Sequence, residues 1–320
     1  NSSINLLNKN LDIKGVETII LSDSQLVYVY PSNGDMTLKE NRDFNFSGKI
    51  SVGRGRLVLF GQNFSFNYEK FKINLEKIDS LQLAVPILPI QRDQYGNEKL
   101  VRMKTVIQAV SGDLRIDDPG NKSGLRKKDF PNFPIFRSFN DSYVYYDKPS
   151  IYEGVYNRKD FYFHLDTFEI DSLESYNGRG LRFPGFFESA GIFPGFYDTL
   201  KMMNDYSLGF RTLTPEGGYE LYGGKATYND YIFLSNDGLM GNGKMEYLTS
   251  ISSSNEIYFF PDSAALFTQE FLLTPVEEGV EFPEVQNLET FALFQPYSDR
   301  LKVHKIKDNF ICYNNQSFFN

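Results

Sequence analysis

Apolar and polar residues alternate along much of this chain, and glycine, asparagine or aspartate repeatedly cuts the alternation. Residues 217–247, GGYELYGGKATYNDYIFLSNDGLMGNGKMEY, display it most clearly. Strand-like runs occupy 219–222, 225–228, 231–234 and 244–247. Gly223-Gly224, Asn229-Asp230 and the stretch from Asn236 to Gly243 read as breaks between them. A two-residue period puts one face of an extended segment in a core and the other in water. Phe44 and Phe46, Ile50 and Val52, Phe64, Phe66 and Tyr68, and Phe71, Ile73 and Leu75 follow the same period. An amphipathic helix would need apolar residues three and four apart, and this region lacks that spacing. Strands this short cannot make a stable sheet alone and must stack on more of the same. The expected fold is all-β, with short strands stacked into an elongated β-solenoid or jelly-roll. Two short helices are expected, over 197–206 and over 262–272, the second capped by Asp262 or Ser263.

Local breaks refine this reading. Asn33-Gly34 predicts a tight turn. The most apolar run, LQLAVPILPI at 81–90, carries Pro86 and Pro89, which argue against a central antiparallel strand. Residues 93–97, DQYGN, predict a hairpin turn. Residues 111–149 shift to loops and prolines, dividing the chain into an N-terminal β unit (1–110), a Pro/Phe-rich crossing segment (111–149) and a C-terminal β unit (150–320). The acidic run with Glu277, Glu278, Glu281 and Glu284 reads as a solvated loop, and strands return over 288–294, 301–306 and 310–313. The first residues carry neither a starting Met nor a signal-peptide pattern. The last lines end as though mid-repeat, so the chain reads as cut from something longer.

Composition narrows function by exclusion. The chain has 30 Phe and 21 Tyr but no Trp, and flat rings suit a pleated core. Its net charge is −8, from 33 basic and 41 acidic residues, which disfavours nucleic acid and a polybasic membrane anchor. No run is long enough for a membrane helix. A transmembrane barrel needs strands of about nine to eleven residues, whereas these runs span four to six.

The residues that could carry chemistry are sparse. Cys312 is a lone cysteine in the apolar run at 310–313, the setting of an inert buried thiol. His164 and His304 are 140 residues apart, and no G-x-S-x-G elbow accompanies them. In a strand with Phe161, Phe163 and Leu165 on one face, His164 takes the other. Asp117, Asp118, Asn121 and Ser123 offer calcium-type oxygens within one loop, off the EF-hand spacing and equally suited to turns. Asp160, Asp166, Glu169 and Asp171 form the densest carboxylate group, open to a glycosidase reading and equally to solvation of a sheet. Gly53-Arg54-Gly55 and Gly241-Asn242-Gly243 precede strands, so they lack the helix N-terminus a phosphate loop needs. No catalytic, metal or cofactor residue is assigned.

The runs at 41–48, 64–68 and 71–73, with YGGK at 222–225 and GLMGNG at 238–243, resemble large cell-envelope proteins of the Bacteroidota. Their texture is similar to stacked jelly-roll proteins of the OstA-like or AsmA-like kind. That resemblance implies a non-enzymatic envelope component, periplasmic or outer-membrane associated, scaffolding or conducting lipid. Its partners would be other envelope proteins or lipid. The alternatives are a glycan-binding or glycan-cleaving β-helix protein and a surface adhesion module. Whether the Phe-rich face is an open trough or a dry core separates them.

Overall fold

Phase-shifting bulges, and not only tight turns, lie where the alternation breaks. The computed structural model describes residues 2–7, 9–247 and 250–266, and beyond them the backbone of five strands. The first stretch forms β1 (Ser2–Ile4), β2 (Leu11–Ile13), β3 (Ile19–Ser22), β4 (Val27–Leu38), β5 (Phe44–Val52), β6 (Leu57–Asn67), β7 (Lys72–Pro86), β8 (Leu100–Gln108) and β9 (Val110–Arg115). Then come β10 (Ile135–Ser138), β11 (Ser142–Tyr145), β12 (Phe161–Leu165), β13 (Glu169–Ile170), β14 (Phe183–Ser189), β15 (Phe196–Met202) and β16 (Leu208–Leu213). The last are β17 (Tyr219–Leu221), β18 (Ala226–Ser235), β19 (Gly238–Tyr247), β20 (Ser250–Phe260), β21 (Ser263–Leu266) and β22 (Glu270–Leu273). Strands Arg300–His304 and Asn309–Tyr313 pair with each other, as do Val285–Asn287 and Ala292–Phe294.

The protein is all-β. Among the described residues no helix reaches seven residues, and one large antiparallel sheet dominates without closing into a barrel. No described helix is long and apolar enough to cross a membrane.

Several local expectations are corrected. The segment expected as a helix over 197–206 is strand β15 followed by a turn, closed by the Met203 N–H donating to the Ser207 carbonyl at 2.9 Å. The described parts of the 262–272 segment are also extended. Phe260 pairs with Ser263 across the two-residue turn Pro261-Asp262, and β21 and β22 both pair with β20. Residues 267–269 lie outside the described set, as do the four glutamates of the acidic run. In both segments sheet partners override a helical spacing too short to nucleate alone. Asn33-Gly34 does not end a strand: it sits inside β4 as a bulge, with φ of 54° and 73°. Asn229-Asp230 and residues 241–243 likewise lie inside the ten-residue strands β18 and β19. The 81–90 run enters a central strand after all. β7 pairs with β6 on one side and with β8 and β9 on the other, and Pro86 is its final residue. The turn at 93–97 forms as expected, with the Asp93 carboxylate accepting from the N–H groups of Tyr95 and Asn97.

The chain divides into two compact units. The first holds Asn1–Val144, Phe163–Gly185 and Thr199–Leu208; the second holds Tyr145–Tyr162, Phe186–Asp198 and Gly209–Asn320. In the first unit, Phe44, Phe46, Phe64, Phe66 and Phe71 are buried and meet one another tilted or edge-on, with centroids 5.0–6.0 Å apart. Burying each ring stabilises the fold by about 1.5–3 kcal/mol. A second cluster joins Phe136, Phe168 and Phe183.

The second unit has its own aromatic core, running from Tyr156 stacked on Phe161, through Phe187, Phe210 and Phe196, to Tyr219 and Phe193. Tyr228 and Phe259 complete it against Phe193. Its phenols are placed as hydrogen-bonding groups. The Tyr156 hydroxyl donates to the Phe259 carbonyl at 2.7 Å and accepts from the Leu239 N–H at 3.1 Å. Burial pushes the phenols of Tyr156, Tyr222 and Tyr228 up, so they stay protonated donors.

Two hairpins share one irregularity. In β5–β6, Phe46 pairs with Phe64 and Gly48 with Gly61, so Ser47 alone faces Gln62 and Asn63. In β19–β20, Gly241 pairs with Ile257 and Gly243 with Ser254, so Asn242 alone faces Asn255 and Glu256. Buried side chains flip parity at both bulges: 57, 59 and 61 before and 64 and 66 after; 250, 252 and 254 before and 257 and 259 after. A glycine begins the regular ladder in each. A Cβ on Gly48 would sit 2.3 Å from the Tyr30 carbonyl oxygen, and one on Gly243 2.1 Å from that of Asn229.

Candidate functional site

His164 takes the non-core face of β12, as its alternation requires, while Phe161, Phe163 and Leu165 are buried. Its ring stacks on Tyr143 at 4.8 Å and 9°, and its Nε2 lies 3.2 Å from Asp141 Oδ2, without the alignment of a hydrogen bond. Ser142 is wholly buried in alternation with Tyr143, so its hydroxyl takes the opposite face from the imidazole. This is a packed histidine with a carboxylate neighbour and no aligned nucleophile. The side chains of His304 and Cys312 lie outside the described residues.

Three of the four loop side chains, those of Asp117, Asp118 and Asn121, already accept hydrogen bonds, and the Ser123 hydroxyl makes none to the described residues. Asp117 is 1% exposed, and its carboxylate accepts from the side-chain amides of Gln25 (2.8 Å) and Asn121 (3.1 Å) and from the Asp118 N–H (2.7 Å). Asp118 accepts from the Gly120 N–H, and the Asn121 amide oxygen from the Arg126 N–H. These bonds shape the loop and engage three of the four side chains a calcium ion would use. Among the described residues no group of three or more His, Cys, Asp or Glu is placed to hold a metal.

Asp160, Asp166, Glu169 and Asp171 are all exposed. Glu169 and Asp171 line a hollow of about 440 Å³ with Ser172 and Arg182. A glycosidase pair needs one carboxyl held in a desolvated setting, and both of these face water.

A larger hollow lies elsewhere, in the first unit, with a volume of about 830 Å³. Bulges build it. Between the Pro31–Gly48 and Met36–Phe46 pairs, four residues of β4 face Ser47 alone. The shared β5–β6 bulge sits on the other side of Ser47. Bulges bend a strand and re-aim its side chains. Here they gather Ser32, Asn33 and Asp35 from β4, Ser47 from β5, Asn63 from β6 and Glu76 from β7 into one concavity, with Asp12 and Lys14 at the β2 side. The buried rings of Phe46 and Phe64, 5% and 1% exposed, form its floor. Its walls are cross-braced. The Thr37 hydroxyl donates to Asp12 at 2.7 Å, the Ser47 hydroxyl accepts from the Asn63 N–H at 3.3 Å, and the Asn74 amide donates to Ser65 at 3.3 Å.

None of these residues stands out in the sequence, because serines and asparagines at alternate positions read as an ordinary wet face. The Asn33-Gly34 signal marked the place but suggested a turn.

Fold and hollow together define an all-β protein with closed aromatic cores and one polar, bulge-lined groove. Comparison with protein-family models, curated proteins and solved structures finds no match.

Proposed function

We propose that this chain is a non-enzymatic structural module of a bacterial cell envelope, a β scaffold that presents polar faces to other envelope components. The observation that carries this reading is the closure of the Phe-rich faces. Phe44, Phe46, Phe64, Phe66 and Phe71 pack on one another in the first unit, and the second unit's rings do the same. An acyl chain needs an open apolar trough, and rings packed to exclude water offer none. That favours scaffolding over lipid conduction. The solvated carboxylates and the packed His164 favour a non-catalytic role.

Native mass spectrometry of the chain extracted from cells tests the choice. The scaffold reading expects the bare polypeptide mass in the envelope fraction. A stoichiometric acyl lipid would restore conduction, and recovery from the cytosolic fraction would remove the envelope assignment.

A further inference from the structure

The polar groove of the first unit has a lining that a purely structural sheet does not require. Asn33, Asp35, Asn45, Asn63 and Glu76 reach it without a side-chain hydrogen bond to any described residue. A wet sheet face is usually flat. This one is recessed to about 830 Å³, inside the range of small-molecule sites, about 300–1,000 Å³.

We propose that the groove is a carbohydrate site for a neutral or amino-bearing oligosaccharide. The inference goes beyond the scaffold reading and does not depend on it. Three features select the ligand class. First, the lining mixes amides, hydroxyls and carboxylates. An amide offers a donor and an acceptor side by side and a carboxylate accepts twice, which suits neighbouring sugar hydroxyls that both donate and accept. Second, the fixed charges are three carboxylates, Asp12, Asp35 and Glu76, against the single ammonium of Lys14. That balance repels phosphate, uronate and sulfate and tolerates an amino sugar. Third, the apolar floor is largely covered, with Phe46 and Phe64 almost wholly buried, so an acyl chain finds little surface.

The groove is also preorganised. Its side chains stand on paired strands, and the Thr37–Asp12, Ser47–Asn63 and Ser65–Asn74 bonds fix the walls before any ligand arrives. Asn63 holds a left-handed φ of 58°, a conformation asparagine tolerates and most residues resist. No exposed aromatic ring lines the groove, so recognition rests on hydrogen bonds and is weak per sugar unit.

The test is binding of the full chain to an array of neutral, amino-bearing, uronate-bearing and sulfated oligosaccharides, with anionic phospholipid vesicles alongside. Retention on neutral or amino-bearing glycans is expected. In the Asn45→Ala/Glu76→Ala double variant, affinity falls about tenfold or more with thermal unfolding unchanged, the loss of two hydrogen bonds. Glu76→Gln alone gives a smaller loss. Asn255→Ala, at the matching bulge of the other hairpin, leaves binding intact. No retained glycan, stronger retention on acidic glycans or vesicles, or undiminished binding by the double variant would overturn the assignment.

Discussion

The β5–β6 and β19–β20 hairpins carry the same bulge, one residue against two, at the same distance from a glycine, yet only the first lines one of the described hollows. The difference lies on the other flank. β4 throws four residues against Ser47, whereas β18 pairs with β19 in unbroken register from Ala226–Tyr247 to Ser235–Gly238. The concavity of the first hairpin thus has a bulge on each side of Ser47, from β4 and from β6. The cores beneath also differ. Phe46 fills its own position in the first hairpin. At the matching position Gly241 leaves room for the Tyr228 hydroxyl, which donates to the Tyr231 carbonyl at 2.6 Å. One hairpin takes its aromatic ring from its own strand, the other from a neighbour.

Three experiments probe that contrast. The largest effect is expected at Phe46→Ala, which removes a buried ring packed on Phe44 and Phe64, with a loss of about 3–5 kcal/mol in denaturant unfolding. A loss below about 1 kcal/mol would mean the first hairpin relaxes as the second does. Next, Gly48→Ala and Gly243→Ala both drive a Cβ into a neighbouring carbonyl, for about 1–3 kcal/mol each. Gly48 also holds a φ of +140°, so its loss should exceed that at Gly243 by about 1 kcal/mol. Equal losses would show that crowding alone, without backbone conformation, fixes the glycine. Smallest is a coupling. A Cβ on Gly241 would lie 2.4 Å from the Tyr228 hydroxyl, so combining Gly241→Ala with Tyr228→Phe should cost less than the sum by about 0.5–1 kcal/mol. Strict additivity would separate the two residues.

The β class was legible because alternation survives on each side of every bulge: Phe44, Phe46, Phe64 and Phe66 all face the core as their spacing implies. Strand length was not. Where parity flips at Gln62-Asn63 or Asn255-Glu256, one strand of eleven residues looks like two short ones. The conformations that mark turns, a glycine or asparagine at positive φ, also mark bulges, so Asn33-Gly34 misled. For the 197–206 segment, Phe196 and Leu200 sit four apart, a spacing helix and strand share, and both are buried in β15. The groove was illegible for a different reason. Its residues come from successive strands, and only the bulged registers of β4, β5 and β6 turn them to one concavity.

The phenol of Tyr156 bears on the order in which this molecule assembles. Leu239 and Phe259 stand one residue beyond the Met240–Tyr258 pair, and the Tyr156 hydroxyl bonds to both, occupying a rung between them. Most of that hairpin can zip locally. Its final rung waits for a residue 83 positions upstream of one strand and 103 upstream of the other. That makes it a long-range closure, the kind of contact that slows folding. A hairpin that looks self-sufficient on paper is thus finished by a distant part of the chain.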